Sequence, residues 1–271
     1  MNLKNKVVII TGASSGIGLA TAEALAKKGA NLVLGARRFV DLCTIAQDLE
    51  KNYSIKAIAM ATDVTQSESC KLLIQQAITT FGRIDVLINN AGISMRALFN
   101  EVDLEVIRKV MDVNFWGTVY CTKYALPSLL LNGGTLVGIS SIAGFQGLPG
   151  RSGYSASKFA MQGLLEAIRL ENIHTNLQVL IACPGFTASN IRKVALDQSG
   201  LPTGESGREE QSMMSSEEVA NQIILAIENR KREIILTGQG KLVVLLRKFF
   251  PKFVDKMVYK TFEKENNSVV R

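Results

Sequence analysis

Val7-Val8-Ile9-Ile10-Thr11-Gly12-Ala13-Ser14-Ser15-Gly16-Ile17-Gly18 joins an apolar run to an amphipathic one through three glycines spaced GxxxGxG. The run VVII is apolar at every position, as a strand buried on both faces must be. Beyond Gly18 the pattern changes to LATAEALAKKG, which reads as a helix stopped at Gly29. Glycine at the junction lets the backbone turn sharply and lets a ligand come close. The helix that follows aims its unpaired amides and positive dipole end at the turn. A strand, turn and helix in this order suit a dinucleotide pyrophosphate; the alternative is a tight turn that uses glycine for conformation alone.

The same alternation continues outward. Lys6–Thr11, Asn31–Ala36, Ile55–Met60, Ile84–Asn89, Gly134–Ser140, Leu177–Cys183 and Glu233–Leu236 read as strands, with helical patterns between them, one running from Val64 to Gly82. VLIN and LVGI are again apolar on both faces. The expectation is an α/β fold: a Rossmann-type, doubly wound parallel sheet of about seven strands with helices on both faces. Residues 1–240 form one nucleotide-binding domain that includes a substrate loop at 186–216, and 241–271 form a basic amphipathic extension. Asp197–Ser212, polar and rich in Gly and Ser, reads as a mobile excursion.

Composition narrows the function. With 271 residues, 47% hydrophobic and 20% charged, the chain can bury a core without disulfides or structural metal. Cys43, Cys70, Cys121 and Cys183 lie far apart in apolar stretches and read as buried thiols of a reducing compartment. A single histidine, His174, stands between a helix and a strand, which argues against a His-based metal site or a Ser-His-Asp triad. No metal is expected. The N-terminal stretch lacks the layout of a secretory signal, and no apolar run reaches the roughly 20 residues of a membrane span. The net charge of +7 is concentrated between Lys241 and Lys264, so nucleic acid is not an expected partner. These readings point to a cytoplasmic protein, with the basic tail able to lie on the cytoplasmic membrane surface.

Leu34-Gly35-Ala36-Arg37-Arg38 ends the second strand where an acidic residue would bind the ribose hydroxyls of NAD. Two guanidinium groups instead suit a 2′-phosphate, and hence NADP(H), unless both merely flank a solvated helix entrance. Asp63-Val64 and Asn89-Asn90-Ala91-Gly92 follow the third and fourth strands, where an open α/β sheet binds ligands. Asp63 suits either an adenine amino group or a helix cap.

Tyr154 and Lys158 lie four apart in YSASKFA, on one helix face. A nearby ammonium favours the phenolate and moves a phenol of ordinary pKa near 10 toward the range useful for acid/base work. Tyr-x-x-x-Lys is also common on helix surfaces. Ser140-Ser141 at the end of the fifth strand and Asn114 in MDVN strengthen the catalytic reading, since serine can hold a carbonyl oxygen and asparagine can organise water near the lysine.

TGASSGIG, NNAG, the Asn of MDVNFWG, the second serine of SSIAG, YSASK and PGFTAS occur in that order, and across residues 3 to about 240 the sequence resembles the compact form of the short-chain dehydrogenase/reductase family. The resemblance implies a tetrad of Asn114, Ser141, Tyr154 and Lys158, with Lys158 also binding the nicotinamide ribose. It implies cofactor contacts at Gly12, Ser14, Ile17, Arg37, Asp63, Asn90, Gly92, Pro184, Gly185 and Thr187, and the same turns and strand ends add Ser15, Gly16, Gly18, Arg38, Val64 and Ala91 as expected contacts. In the mechanism the resemblance implies, hydride moves between the nicotinamide and a carbonyl carbon, Tyr154 handles the proton and Ser141 holds the oxygen.

Ile191, Val194, Leu196, Leu201, Met213 and Met214 in the loop suit an apolar carbonyl or alcohol, or else pack on one another. In the tail, Leu242, Leu246, Phe249, Phe253 and Met257 share one helical stripe and Lys248, Lys252 and Lys256 another, with Pro251 kinking or dividing the helix. Membrane contact, a subunit interface and a cover over the substrate mouth all fit this pattern. The tail resembles a membrane-associated subgroup acting on retinoid, steroid or other lipid carbonyls. A homo-oligomer, dimer or tetramer, is also expected. Two rival functions are a non-catalytic NADP(H)-binding sensor, which would not need all four tetrad residues, and an epimerase or dehydratase, which would need a larger substrate domain than the chain after Pro184 provides.

Overall fold

A computed structural model describes residues 1–204, 206, 213–265 and 268–270. Seven parallel strands form one sheet: β1 (Val7–Thr11), β2 (Asn31–Ala36), β3 (Ala57–Ala61), β4 (Val86–Asn89), β5 (Thr135–Ile139), β6 (Gln178–Cys183) and β7 (Glu233–Ile235). Their spatial order is β3-β2-β1-β4-β5-β6-β7, so the chain reverses direction across the sheet between β1 and β4. The crevice opened by that reversal is where an open α/β sheet binds its ligand.

The opening run VVII shows why this layering forms. Val8 and Ile10 enter one core with Leu25 and Ala26 of α1 (Gly16–Lys27), Leu42 and Leu49 of α2 (Phe39–Asn52) and Ile223 of α7 (Ser216–Glu228). Val7 and Ile9 enter the other, with Leu73 of α3 (Ser67–Phe81), Cys121 and Leu129 of α5 (Gly117–Leu131) and Leu165 of α6 (Ser152–Glu171). Successive side chains of a strand point to opposite faces, so an unbroken apolar run requires helices on both sides.

Several boundaries differ from the sequence reading for local reasons. The third helix begins at Ser67 and not at Val64, because the Asp63 carboxylate accepts from the Thr65 amide at 3.0 Å and hydroxyl at 2.8 Å and holds 63–65 in a turn. It stops at Gly82, whose φ of 73° caps the helix in the left-handed region. Asn114 lies in neither neighbouring α-helix: a π-helical turn, Asp112–Trp116, separates α4 (Leu104–Met111) from α5. The fifth strand ends at Ile139, and Ser141 caps a short turn at Ile142–Gly144 by accepting from the Ala143 amide.

The stretch 197–212 lies partly outside the described residues. Its described beginning is anchored: the Asp197 carboxylate accepts from the amides of Ser199 and Leu201, and the Gln198 carbonyl accepts from Asp103 N. The tail forms two helices, α8 (Gly238–Phe249) and α9 (Pro251–Glu263), and position 241 falls in the first turn of α8. Proline bars the residue before it from helical backbone, and Phe250 adopts φ −132°, ψ 57°. The division separates the expected stripe. Leu246 and Met257 turn toward the core with Val243, Val254, Val258 and Phe262, whereas Leu242, Phe249 and Phe253 remain exposed. Among the described residues no helix is long and apolar enough to cross a membrane.

Candidate active site

The glycine turn is shaped by close backbone packing. Gly12 has φ 66°, and a Cβ there would stand 2.9 Å from the Ala91 Cα. Gly18 faces the Gly12 carbonyl and Asn90, and a Cβ would meet Asn90 Nδ2 at 2.5 Å. Asn90 reinforces this junction: its Nδ2 donates to the carbonyls of Thr11 at 2.9 Å and Gly12 at 3.1 Å. The Thr11 hydroxyl accepts from the amides of Asn90 and Ala91, each at 3.0 Å. The turn after β1 is thereby fixed against the loop after β4, across the point where the sheet reverses.

A cavity of about 1550 Å³ opens at these strand ends. Its walls include Gly12, Ser14, Ser15, Gly16, Ile17, Arg37, Arg38, Asp63, Val64, Asn90, Ala91 and Gly92, and also Pro184, Gly185 and Thr187. Gly18 is not on the wall; it lies behind it and allows the helix to approach Gly12 and Asn90. Arg38 donates to the Ser14 carbonyl at 3.2 Å and pairs with Asp41 at 3.2 Å, so its guanidinium borders the glycine turn. Arg37 is exposed beside it. The open cradle and the α1 N-terminus fit a dinucleotide pyrophosphate, and the two guanidiniums lie at the rim of the same cavity.

Ser141, Tyr154 and Lys158 line the same cavity. Ser141 leaves the end of β5, while Tyr154 and Lys158 share a face of α6. Lys158 is buried; its Nζ donates to the Ile139 carbonyl at 2.8 Å and lies 5.8 Å from the centre of the Tyr154 ring. Burial brings Lys158 down to about 8. Burial also pushes the Tyr154 phenol up, against the opposing pull of a hydrogen bond with Ser141 and of the Arg151 charge. The expected lowering of the phenol by Lys158 does not appear in the free protein: the downward pull comes from Ser141 and Arg151, and desolvation of the phenolate outweighs it.

Asn114 does not line the cavity. Its Oδ1 accepts from Ile93 N at 2.8 Å, and its Nδ2 donates to the Ile93 carbonyl at 3.0 Å and Ser157 Oγ at 2.9 Å. The side chain is spent on holding the loop after β4 against α6, and the lysine's bond goes to Ile139 instead. A Cβ on Gly92 would stand 3.3 Å from Asn114 Oδ1 and 3.6 Å from Lys158 Nζ, so this clamp sits directly behind the lysine. Ser140, beside Ser141, likewise holds two elements together, accepting from Gln162 Nε2 of α6 at 2.9 Å.

The far side of the cavity is apolar. Ile191, Val194, Leu196, Met213 and Met214 of the loop line it, but Leu201 points to solvent at 63% exposure and Leu196 also packs with Met95 and Val106. Val243, Met257, Val258 and Phe262 of the tail complete it, packed toward Ile142, Leu148 and Phe186. Two buried cations on this side, Arg151 and Arg192, were not singled out in the sequence. Each sits alone in its local pattern, and only the fold brings them together.

A family model for the short chain dehydrogenases matches residues 6–199. Over 193 residues the chain is 44% identical to the 11-beta-hydroxysteroid dehydrogenase A of Arachis hypogaea, covering 71% of this chain and 55% of that protein. It is 32% identical over 271 residues to the dehydrogenase/reductase SDR family member 7B of Mus musculus, covering 98% and 84%. Among solved structures, a short chain dehydrogenase/reductase from Burkholderia phymatum in complex with NAD superposes with a TM-score of 0.84 at 25% identity, covering 93% and 96%. An alcohol dehydrogenase from Thermococcus sibiricus complexed with 5-hydroxy-NADP gives 0.75 at 27%, covering 85% and 95%. The chain belongs to the short-chain dehydrogenase family, and with it to the oxidoreductases that act on CH–OH groups.

Proposed function

We propose that this protein is an NADP(H)-dependent oxidoreductase that interconverts a carbonyl and a primary or secondary alcohol on an apolar, lipid-like substrate. The observation that carries the reading is the convergence of Ser141, Tyr154 and Lys158 on the same cavity as the glycine turn and the Arg37-Arg38 pair. The bound cofactor would supply or accept the hydride. Gly12, Ser14, Ser15, Gly16 and Ile17 would hold its pyrophosphate. Arg37 and Arg38 would take the 2′-phosphate through charge-assisted bonds, and Asp63 and Val64 would border the adenine. Asn90, Ala91, Gly92, Pro184, Gly185 and Thr187 would flank the nicotinamide half.

The chain's own residues manage the oxygen and the proton. A phenol pushed up by burial stays protonated at neutral pH, which suits Tyr154 to donate to a forming alkoxide and, in the reverse direction, to receive that proton. Ser141 holds the substrate oxygen beside it. Lys158 places positive charge under the phenol ring and steadies the phenolate once the proton has left. Asn114 keeps the loop at Ile93 against Ser157, the residue before that lysine. A screen of NADPH oxidation against steroid, retinoid and long-chain keto-lipid carbonyls tests the reading. Turnover should appear on at least one class and fall by orders of magnitude in Tyr154→Phe with NADPH affinity kept; turnover retained in that variant would contradict it.

The tail supports a second part of this reading, in which α8 and α9 do two things at once. Their inner residues close the apolar side of the cavity. Their outer side exposes Leu242, Leu245, Phe249, Phe250 and Phe253 among Arg247, Lys248, Lys252 and Lys256, a composition suited to an anionic membrane surface from which a lipid-like substrate would enter.

A further inference from the structure

Beside the main cavity lies a smaller cleft of about 410 Å³, between the segment 146–149, which leads into α6, and the tail helix α9. Its walls include Leu148, Pro149, Val258 and Tyr259, with the polar Gln146 and Asp255. Leu148 and Val258 line the main cavity as well, and they are the two residues that both walls have in common. Val258 belongs to the buried cluster of the tail, and Leu148 packs against that cluster. Two aliphatic side chains therefore stand where the cavities adjoin.

This partition is held by backbone and closed by side chains. Leu148 N donates to Ser155 Oγ at 3.2 Å, and the Leu148 carbonyl accepts from Arg151 N at 3.1 Å. Both bonds fix position 148 to the start of α6, just ahead of Tyr154. The Leu148 side chain is only partly buried, and rotamer changes of such side chains are fast. Across the cleft, the segment and α9 are joined by exposed groups, Gln146 Nε2 donating to Asp255 Oδ1 at 3.3 Å. Water replaces such a bond when it opens. A Cβ on Gly147 would meet nothing within 4 Å, so there is room beside Leu148.

We infer that the cleft is the distal arm of the substrate site: an extended aliphatic chain runs from the reacting carbon beside Tyr154, passes between Leu148 and Val258, and lies in the cleft. These two residues then select narrow, unbranched chains against wide ring systems, because a methylene chain fits between side chains whose backbone is anchored and a fused ring does not. Each methylene taken from water into the passage should raise kcat/KM roughly fourfold, up to the length that fills the cleft. This rests on the oxidoreductase reading above and specifies the shape of what that site accepts.

The test is photolabelling of the full-length protein in the presence of NADPH, using a long-chain methyl ketone with a diazirine at the far end of its chain. Mass spectrometry should find the label on 146–149 or 255–259, suppressed by an excess of the plain ketone. Label on Ile191 or Val194 of the loop instead, or none in the cleft, would overturn the inference. Kinetics on straight-chain methyl ketones of increasing length give a second readout. The ratio of long-chain to short-chain kcat/KM should exceed one in the wild type and fall by about tenfold or more in Leu148→Trp, which plugs the passage. Gly147→Trp, whose added side chain starts in open space and leaves the core untouched, should lower the same ratio by narrowing the cleft from outside. A merely structural role for Leu148 predicts an equal loss for short and long chains, and that result would refute the passage. The two readings fail separately: label in the cleft with no ketone reduced would sustain the passage and count against the oxidoreductase, whereas turnover with the label elsewhere defeats the passage alone.

Discussion

Replacing Lys158 by Met should stabilise the free protein at neutral pH and change the way stability depends on pH. The lysine is 3% exposed, and burial brings it down from 10.5 to about 8. At 1.36 kcal/mol per unit, that difference corresponds to roughly 3 kcal/mol of destabilisation while the side chain is charged. Between about pH 8 and 10.5 the unfolded chain binds the proton more tightly than the folded one, so this group's contribution to stability rises with pH across that window. Below about pH 8 its full cost is present. Met removes both the cost and the slope. Against this gain, the Ile139 carbonyl loses a donor at 2.8 Å, worth about 1 to 2 kcal/mol. The variant should therefore be more stable by about 1 to 2 kcal/mol near pH 7, and the advantage should vanish or reverse near pH 10. Urea denaturation of both proteins across this range measures it. A variant destabilised by the same amount at every pH would refute the reasoning, because it would mean that the buried ammonium carries no desolvation cost.

Three further outcomes follow from particular contacts. The protein should bind NADPH at least tenfold more tightly than NADH, and Arg37→Asp combined with Arg38→Ala should reverse that order in a fluorescence titration; equal affinities in the wild type would defeat the 2′-phosphate assignment. Gly18→Ala should cost about 1 to 3 kcal/mol in urea denaturation and weaken NADPH binding, since its Cβ would collide with the Gly12 carbonyl and Asn90; a variant as stable and as tightly binding as the wild type would contradict this packing. Changing Phe249, Phe250 and Phe253 to Ser should abolish sedimentation with anionic vesicles at low salt while NADPH binding persists, because these side chains are exposed and distant from the tail's inner core. A loss of oligomeric mass in light scattering, with vesicles ignored by the wild type, would assign the outer face to a subunit contact instead.

The sheet was legible because each of its signals is local. Val7 to Ile10 divides between two cores by strand periodicity alone, and the glycine turn announces both its strand and its helix. Tyr154 and Lys158 were legible for the same reason, since their spacing on a helix fixes their shared face. What the sequence hid depends on contacts between distant segments. Asn114 is marked by its motif, but its bonds to Ile93 and Ser157 exist only once the loop after β4 meets α6. Arg96, Arg151 and Arg192 come from three separate segments, and nothing periodic links them. The tail stripe misled because helical periodicity presumes one continuous helix, and Phe250 before Pro251 restarts the count.

The central claim, that this chain moves hydride between NADP(H) and a carbonyl carbon with Tyr154 as proton donor, is tested most directly by isotope transfer. The protein is incubated with its best carbonyl substrate and NADPH carrying deuterium at both hydrogens of the hydride-bearing nicotinamide carbon, and the alcohol is analysed by mass spectrometry and NMR. The account predicts deuterium on the carbinol carbon and nowhere else, with transfer reduced by orders of magnitude in Tyr154→Phe. An alcohol formed without deuterium at that carbon, or full transfer in Tyr154→Phe, would contradict it.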